Sequence, residues 1–143
     1  MWYRVFGTTD TAINPEALLS HIGERGWAAT GSFRGDDAGW FEAAIIGAGE
    51  TPLIVQRFLA SEEGIRAELN AWAAHLETCA DSPNVGRLME HAIRTRQLFT
   101  IHGGGAGVCL GLVRFLAKTT EGVYQIDEQG FFDPDGVLLL QER

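Results

Sequence analysis

One glycine-rich stretch of the chain combines residue types and a position that could do chemistry. It reads His102-Gly103-Gly104-Gly105-Ala106-Gly107 and joins a predicted strand, 98–102, to a very apolar predicted helix, 108–119. Glycines there let backbone N–H groups converge, and the start of a helix adds partial positive charge, so an anion could bind. Asp127 lies near the end of the next predicted strand, 123–127, where an acid could bind a ribose hydroxyl. The candidate ligand-binding residues are therefore His102, Gly103, Gly104, Gly105, Gly107 and Asp127.

Two kinds of ligand would suit this stretch. Gly105, Gly107 and Gly111 spell G-x-G-x-x-x-G, a variant of the dinucleotide fingerprint of Rossmann folds. The segment from Gly105 to Val108 also resembles the pyrophosphate-binding loop of acetyltransferases of the GNAT superfamily, in which a strand, a glycine-containing loop and a helix follow one another. That resemblance covers about residues 98–123 and implies acyl-CoA binding, with His102 standing where the family has Arg or Gln.

The chain departs from both patterns. It lacks the repeated βαβ alternation of a doubly wound sheet, and two predicted helices precede the strand where the acetyltransferases have a meander of strands. The glycines also have a structural interpretation, which we favour: small residues let helix 108–119 approach the sheet closely and let the strand turn sharply. On this interpretation the sequence predicts no cofactor.

No set of residues in the sequence completes a catalytic or metal site. His-Gly-Gly-Gly resembles the oxyanion loop of certain esterases, but their G-x-S-x-G nucleophile motif is absent from the chain. Cys109 follows the loop near His102, so a reactive Cys–His pair stands as an alternative to a buried structural thiol. The four histidines have no paired-ligand spacing, which disfavours a metal site. We therefore predict no catalytic residues, no metal and a protein that is not an enzyme.

Composition and net charge limit the classes of molecule that this protein could bind. The chain has 143 residues and a formal net charge of −8, which repels nucleic acid and anionic membranes. No apolar run approaches the ~20 residues that span a bilayer. The two cysteines, Cys79 and Cys109, are far apart in apolar contexts, so we expect reduced thiols in a cytoplasmic protein.

The order of predicted elements is β-α-β-β-β-α-α-β-α-β-β, with no break that would indicate a second domain. Such an order predicts a single α+β domain, 1–143, with a mostly antiparallel sheet and helices packed on one face. Residues 2–46 and 98–140 share similar glycine spacings, as if one β-α-β-β unit occurred twice about a pseudo-two-fold axis.

Aromatic pairs lie beside the hairpin turns of both proposed units. If these aromatic side chains are exposed, they form an interaction surface. The alternative is that they are buried and pack in the core. These candidates are Trp40, Phe41, Phe131 and Phe132. We expect a non-enzymatic module that acts through a protein partner or through self-association. The alternative is a nucleotide-binding or acyl-CoA-binding protein that uses the turn 103–107.

Overall fold

The computed structural model describes residues 1–79 and 82–142, which form eight strands and four helices. The strands are β1 (Tyr3–Gly7), β2 (Thr30–Asp36), β3 (Gly39–Ile46), β4 (Leu53–Leu59), β5 (Gln97–Gly103), β6 (Val123–Ile126), β7 (Gly130–Phe132) and β8 (Leu138–Gln141). The helices are α1 (Pro15–Glu24), α2 (Ile65–Glu77), α3 (Val85–Arg94) and α4 (Ala106–Thr119).

All eight strands belong to one antiparallel sheet in the order β2-β3-β4-β5-β1-β6-β7-β8. The α+β class with a mostly antiparallel sheet is therefore confirmed. The first strand of the chain lies at the centre, where β1 pairs with β5 on one side and β6 on the other.

The helices lie on both faces of the sheet, rather than on the one face expected. Tyr3 and Val5 of β1 pack in a core with α1 and α4, whereas Phe6 packs in a second core with α2 and α3. Successive side chains of a strand point to opposite faces. Because apolar residues occupy both sets of positions in β1, β5 and β6, each face needs its own cover.

The sequence predicts seven strands, and the structure adds β7. This strand has three residues, Gly130–Phe132, and follows a tight turn in which Glu128 has a φ of 69°. A strand so short has no room for the alternation that identifies strands in a sequence. Its pairing with β6 and β8 places Phe131 in the α2–α3 core.

The two proposed β-α-β-β units occupy different positions in the sheet. After α1 the chain enters β2, which is an edge strand four places from β1. After α4 it enters β6, which is only two places from β5. The strand order therefore gives the two units different neighbours, and their origin by duplication stays a prediction.

Candidate functional site

The glycine turn between β5 and α4 packs against the backbone of a neighbouring loop. Gly103 and Gly104 have φ values of 78° and 59°, which glycine adopts without strain. A Cβ at Gly103 would overlap the carbonyl oxygen of Pro52. The N–H of Gly105 donates to the carbonyl oxygen of Ala48 at 3.0 Å. These contacts agree with the structural interpretation of the glycines, a close approach of backbone to backbone.

His102 and Asp127 lie on the opposite face of the sheet from α4. The His102 ring contacts the ring of Trp2, with centroids 4.1 Å apart. Asp127 lies across the sheet on the other side of Trp2, whose carbonyl oxygen accepts from the Asp127 N–H at 3.1 Å. The structure therefore does not gather these two side chains with Gly105 and Gly107 around one ligand site.

Cys109 is a buried structural thiol. Its Sγ donates to the carbonyl oxygen of Gly103 at 3.2 Å, within the core that α1 and α4 share. Burial raises the pKa of Cys109 to about 11, so the thiolate is scarce at neutral pH. Since His102 faces the other side of the sheet, the Cys–His alternative does not fit the geometry.

The four turn-flanking aromatic residues do not form one surface. Trp40 is buried and its Nε1–H donates to the carbonyl oxygen of Ile13 at 2.7 Å. Phe131 is buried in the other core, and Phe132 stacks on Tyr124 with centroids 5.1 Å apart. Only Phe41 is exposed among the four, at 36%. Strand alternation points these residues to two faces that both carry cores, so the expected aromatic patch is absent from the described residues.

A cleft lies between α2 and the end of β6. It encloses about 370 Å³. We call it the acidic cleft; it is lined by Glu68, Ala71, Trp72, His75, Gln125, Asp127 and Glu142. None of the glycines 103–107 lines it.

A guanidinium group contacts three of the residues that line the acidic cleft. Arg4 Nη1 donates to Gln125 Oε1 at 2.8 Å and to Asp127 Oδ1 at 2.7 Å. Its Cζ lies 5.1 Å from the centroid of the Trp72 ring. With only 20% of its side chain exposed, Arg4 is held by a planar aromatic group and a carboxylate at once.

Gln125 connects Arg4 to Glu142 through its side-chain amide. Gln125 is 1% exposed. Its amide nitrogen donates to Asp127 Oδ1 at 3.1 Å and to Glu142 Oε1 at 2.9 Å. His75 Nε2 lies 3.0 Å from the other oxygen of Glu142. Every polar atom of the buried amide is therefore paired, as such a residue requires.

The acidic cleft carries excess negative charge. Burial alone would raise the pKa of Asp127, but hydrogen bonds from Gln125 and Arg4, with the Arg4 charge, hold that pKa below its ordinary value. Glu68 and Glu142 add two further carboxylates, against the single guanidinium of Arg4. An electrostatic field of this sign attracts cations.

The thiol nearest the acidic cleft is not arranged for catalysis. Cys79 Sγ lies 4.0 Å from His75 Nε2, the same nitrogen that faces Glu142. A nucleophile–base–acid triad requires the two different ring nitrogens of its histidine. Burial and the Glu142 carboxylate also raise the pKa of Cys79. The arrangement can bind a cation, and it does not activate the sulfur.

Sequence reasoning identified only Asp127 among the residues of this network. It missed Arg4, Glu68, Trp72, His75, Gln125 and Glu142. A usable signal exists in the strands: Arg4 and Gln125 are polar residues inside otherwise apolar runs. A polar side chain at a buried strand position must find a partner, and here the two partners are each other.

Comparison of the chain with protein-family models, curated proteins and solved structures gives no significant match. Within residues 1–79 and 82–142, no group of three or more metal-ligating side chains is placed to hold an ion. In the same part of the chain, no helix is both long enough and apolar enough to cross a bilayer.

Proposed function

We propose that this protein is a non-enzymatic interaction module that binds a positively charged segment of a protein partner in the acidic cleft. The ligand group is a guanidinium or ammonium from an Arg or Lys side chain. It would enter past Glu68 and Glu142 and contact the outer edge of Trp72.

One observation carries this proposal: residues that line the acidic cleft already bind a guanidinium of their own chain. Arg4 makes a charged hydrogen bond to Asp127 and lies over the indole ring of Trp72. The same two types of contact are those by which proteins bind cationic side chains of a partner. Glu68, which is exposed, and Glu142 would repeat them with a second cation.

Two further features support a partner of positive charge. The net charge of −8 would attract a basic protein at long range and raise the rate of encounter. The polar network behind the cleft is fixed by hydrogen bonds from β1, β6 and α2, so its carboxylates are pre-oriented. Pre-orientation lowers the entropic cost of binding.

A titration with short cationic peptides tests the proposal. Isothermal titration calorimetry with a penta-arginine peptide should give saturable binding that weakens as salt rises. The double variant Glu68→Gln/Glu142→Gln should weaken this binding roughly tenfold or more, because two charged hydrogen-bond acceptors are lost.

The matched control is Glu50→Gln/Glu63→Gln, which removes two exposed carboxylates outside the acidic cleft and changes the net charge equally. Its affinity for the peptide should stay within about twofold of the wild type. Equal weakening in both double variants would show that only overall charge attracts the peptide, and would overturn the proposed site.

A further inference from the structure

A second cleft lies on the opposite face of the sheet, between α1, α4 and the turn that precedes β8. It encloses about 420 Å³. We call it the basic cleft; its charged and aromatic lining residues are His21, Arg25, Arg114, Phe115, Lys118 and Asp135. Three of the 11 Lys and Arg residues of the chain therefore meet in one concave surface.

Two cationic side chains of the basic cleft lie beside glycines. A Cβ at Gly111 would lie 3.6 Å from Arg25 Nε, an ordinary contact distance, so Arg25 lies beside the α4 backbone. Gly136, with a φ of 93°, lies more closely against the guanidinium of Arg114, which a Cβ there would displace. Arg114 Nε donates to the hydroxyl of Tyr124 at 3.1 Å, which fixes the direction of its remaining N–H groups.

The charges of the basic cleft are not balanced by carboxylates. Asp135 is the one acidic residue in its lining, and its Oδ1 lies 3.5 Å from Lys118 Nζ. Some surface arginines elsewhere in this protein pair with acids, as Arg34 does with Glu42 and Arg96 with Asp10. Three cations gathered with one carboxylate repel one another, and a bound anion would relieve that repulsion.

The remaining lining suits an organic anion. The ring of His21 stacks on Phe115 with centroids 4.5 Å apart and an angle of 21° between the rings. His21 Nε2 lies 3.1 Å from the carbonyl oxygen of Gly111, a contact that directs the ring. Phe115 and Pro134 add an apolar wall beside the cations. The planar forks of Arg25 and Arg114 match the geometry of phosphoryl oxygens.

We propose that the basic cleft binds a small molecule that carries two or more phosphoryl groups. The guanidinium groups of Arg25 and Arg114 hold the phosphoryl oxygens, Lys118 adds a third cation, and the apolar wall contacts the organic part. This site is separate from the acidic cleft and does not depend on the function proposed for it.

The test is calorimetric titration with inorganic pyrophosphate at constant ionic strength, with potassium chloride as the balancing salt. Wild-type protein should show saturable binding. The double variant Arg25→Gln/Lys118→Gln should bind pyrophosphate at least roughly tenfold more weakly than the wild type, since each lost cation removes a charged hydrogen bond.

The control variant Arg34→Gln/Arg94→Gln removes two exposed arginines outside the basic cleft and lowers the net charge by the same amount. It should bind pyrophosphate within about twofold of the wild type. Melting curves of both variants establish that they remain folded. Wild-type protein that shows no saturation at about 10 mM pyrophosphate, or two variants weakened equally, would overturn the proposal.

Phosphoryl groups also occur on lipids, so sedimentation with vesicles forms a second arm. The vesicles contain phosphatidylcholine with a minor fraction of a phosphoinositide. Binding of pyrophosphate without sedimentation supports a soluble ligand. If the wild type sediments with the vesicles, the Arg25→Gln/Lys118→Gln variant does not, and neither binds pyrophosphate, the ligand is a lipid headgroup and the proposal of a soluble ligand is overturned.

Discussion

The guanidinium carbon of Arg4 lies 5.1 Å from the centroid of the Trp72 ring, which joins the central strand of the sheet to α2. The same guanidinium donates to Gln125 and Asp127. Arg4 therefore stabilises the α2 side of the fold and shapes the acidic cleft at the same time.

Arg4→Ala should lower the free energy of unfolding by about 2–4 kcal/mol, because it leaves Gln125 and Asp127 without their partly buried partner. Urea denaturation measures the change. The matched control is Arg34→Ala, which removes an ion pair with Glu42 and a contact over Phe41 at an exposed site. That variant should lose less than about 1 kcal/mol. Similar losses in the two variants would contradict a structural role for Arg4.

Gly103→Ala should destabilise the protein severely, by about 3 kcal/mol or more, because a Cβ there meets the Pro52 carbonyl oxygen at a φ of 78°. Gly107→Ala is the paired variant: its Cβ meets nothing within 4 Å, and it lies in the first turn of α4. We expect it to be neutral or to stabilise by up to about 1 kcal/mol. Thermal melting of the two variants distinguishes a packing role of the turn from a general need for glycine.

The two cysteines should differ in reactivity. Native protein treated with iodoacetamide at about pH 8 should be alkylated at Cys79, which is partly exposed, and spared at buried Cys109. Peptide mass spectrometry locates the label, and labelling in urea gives the reference rates for both thiols. Equal labelling of both residues in the native state would refute the buried position of Cys109.

Cys109→Ala should lower the free energy of unfolding by about 1 kcal/mol or more, because of the cavity that the substitution leaves.

Asp127 should make stability depend on pH in the acid range. Its pKa is lower in the folded protein than the ordinary value of 3.8, so the folded state favours the carboxylate. The stabilisation is therefore present above that ordinary value and is lost as pH falls through the lower, folded value. Wild-type protein should be more stable than Asp127→Asn at about pH 6, and the difference should shrink towards about pH 3. Urea denaturation at each pH measures it, and a constant difference would contradict the assignment.

The fold class could be predicted from local patterns because most elements carry their own signals. Asn14 before Pro15 predicts the start of α1, and the Asn14 side chain indeed accepts from the Glu16 N–H. The packing of α2 and α3 on the sheet face opposite α1 and α4 could not be predicted. Strand β1 reads as a run of apolar and aromatic residues, and such a run fits burial on one face or on two.

The candidate site was harder to predict, because its residues come from β1, α2, β6 and the end of β8. The glycine turn attracted the prediction because its residues are adjacent in the sequence. Arg4, Trp72 and Gln125 are far apart in the chain and meet only through the sheet order. A pattern read along a sequence contains no information on which distant strands pair.

The central position of β1 has a consequence for synthesis on the ribosome. Both neighbours of this strand come much later in the chain; Arg4 and its partner Gln125 are 121 residues apart. Contacts so distant in sequence slow folding, since a long loop must close before they form. During synthesis β1 must wait, with its aromatic side chains uncovered, until β6 has been translated. We expect nascent chains stalled before residue 123 to be sensitive to protease and bound by chaperones.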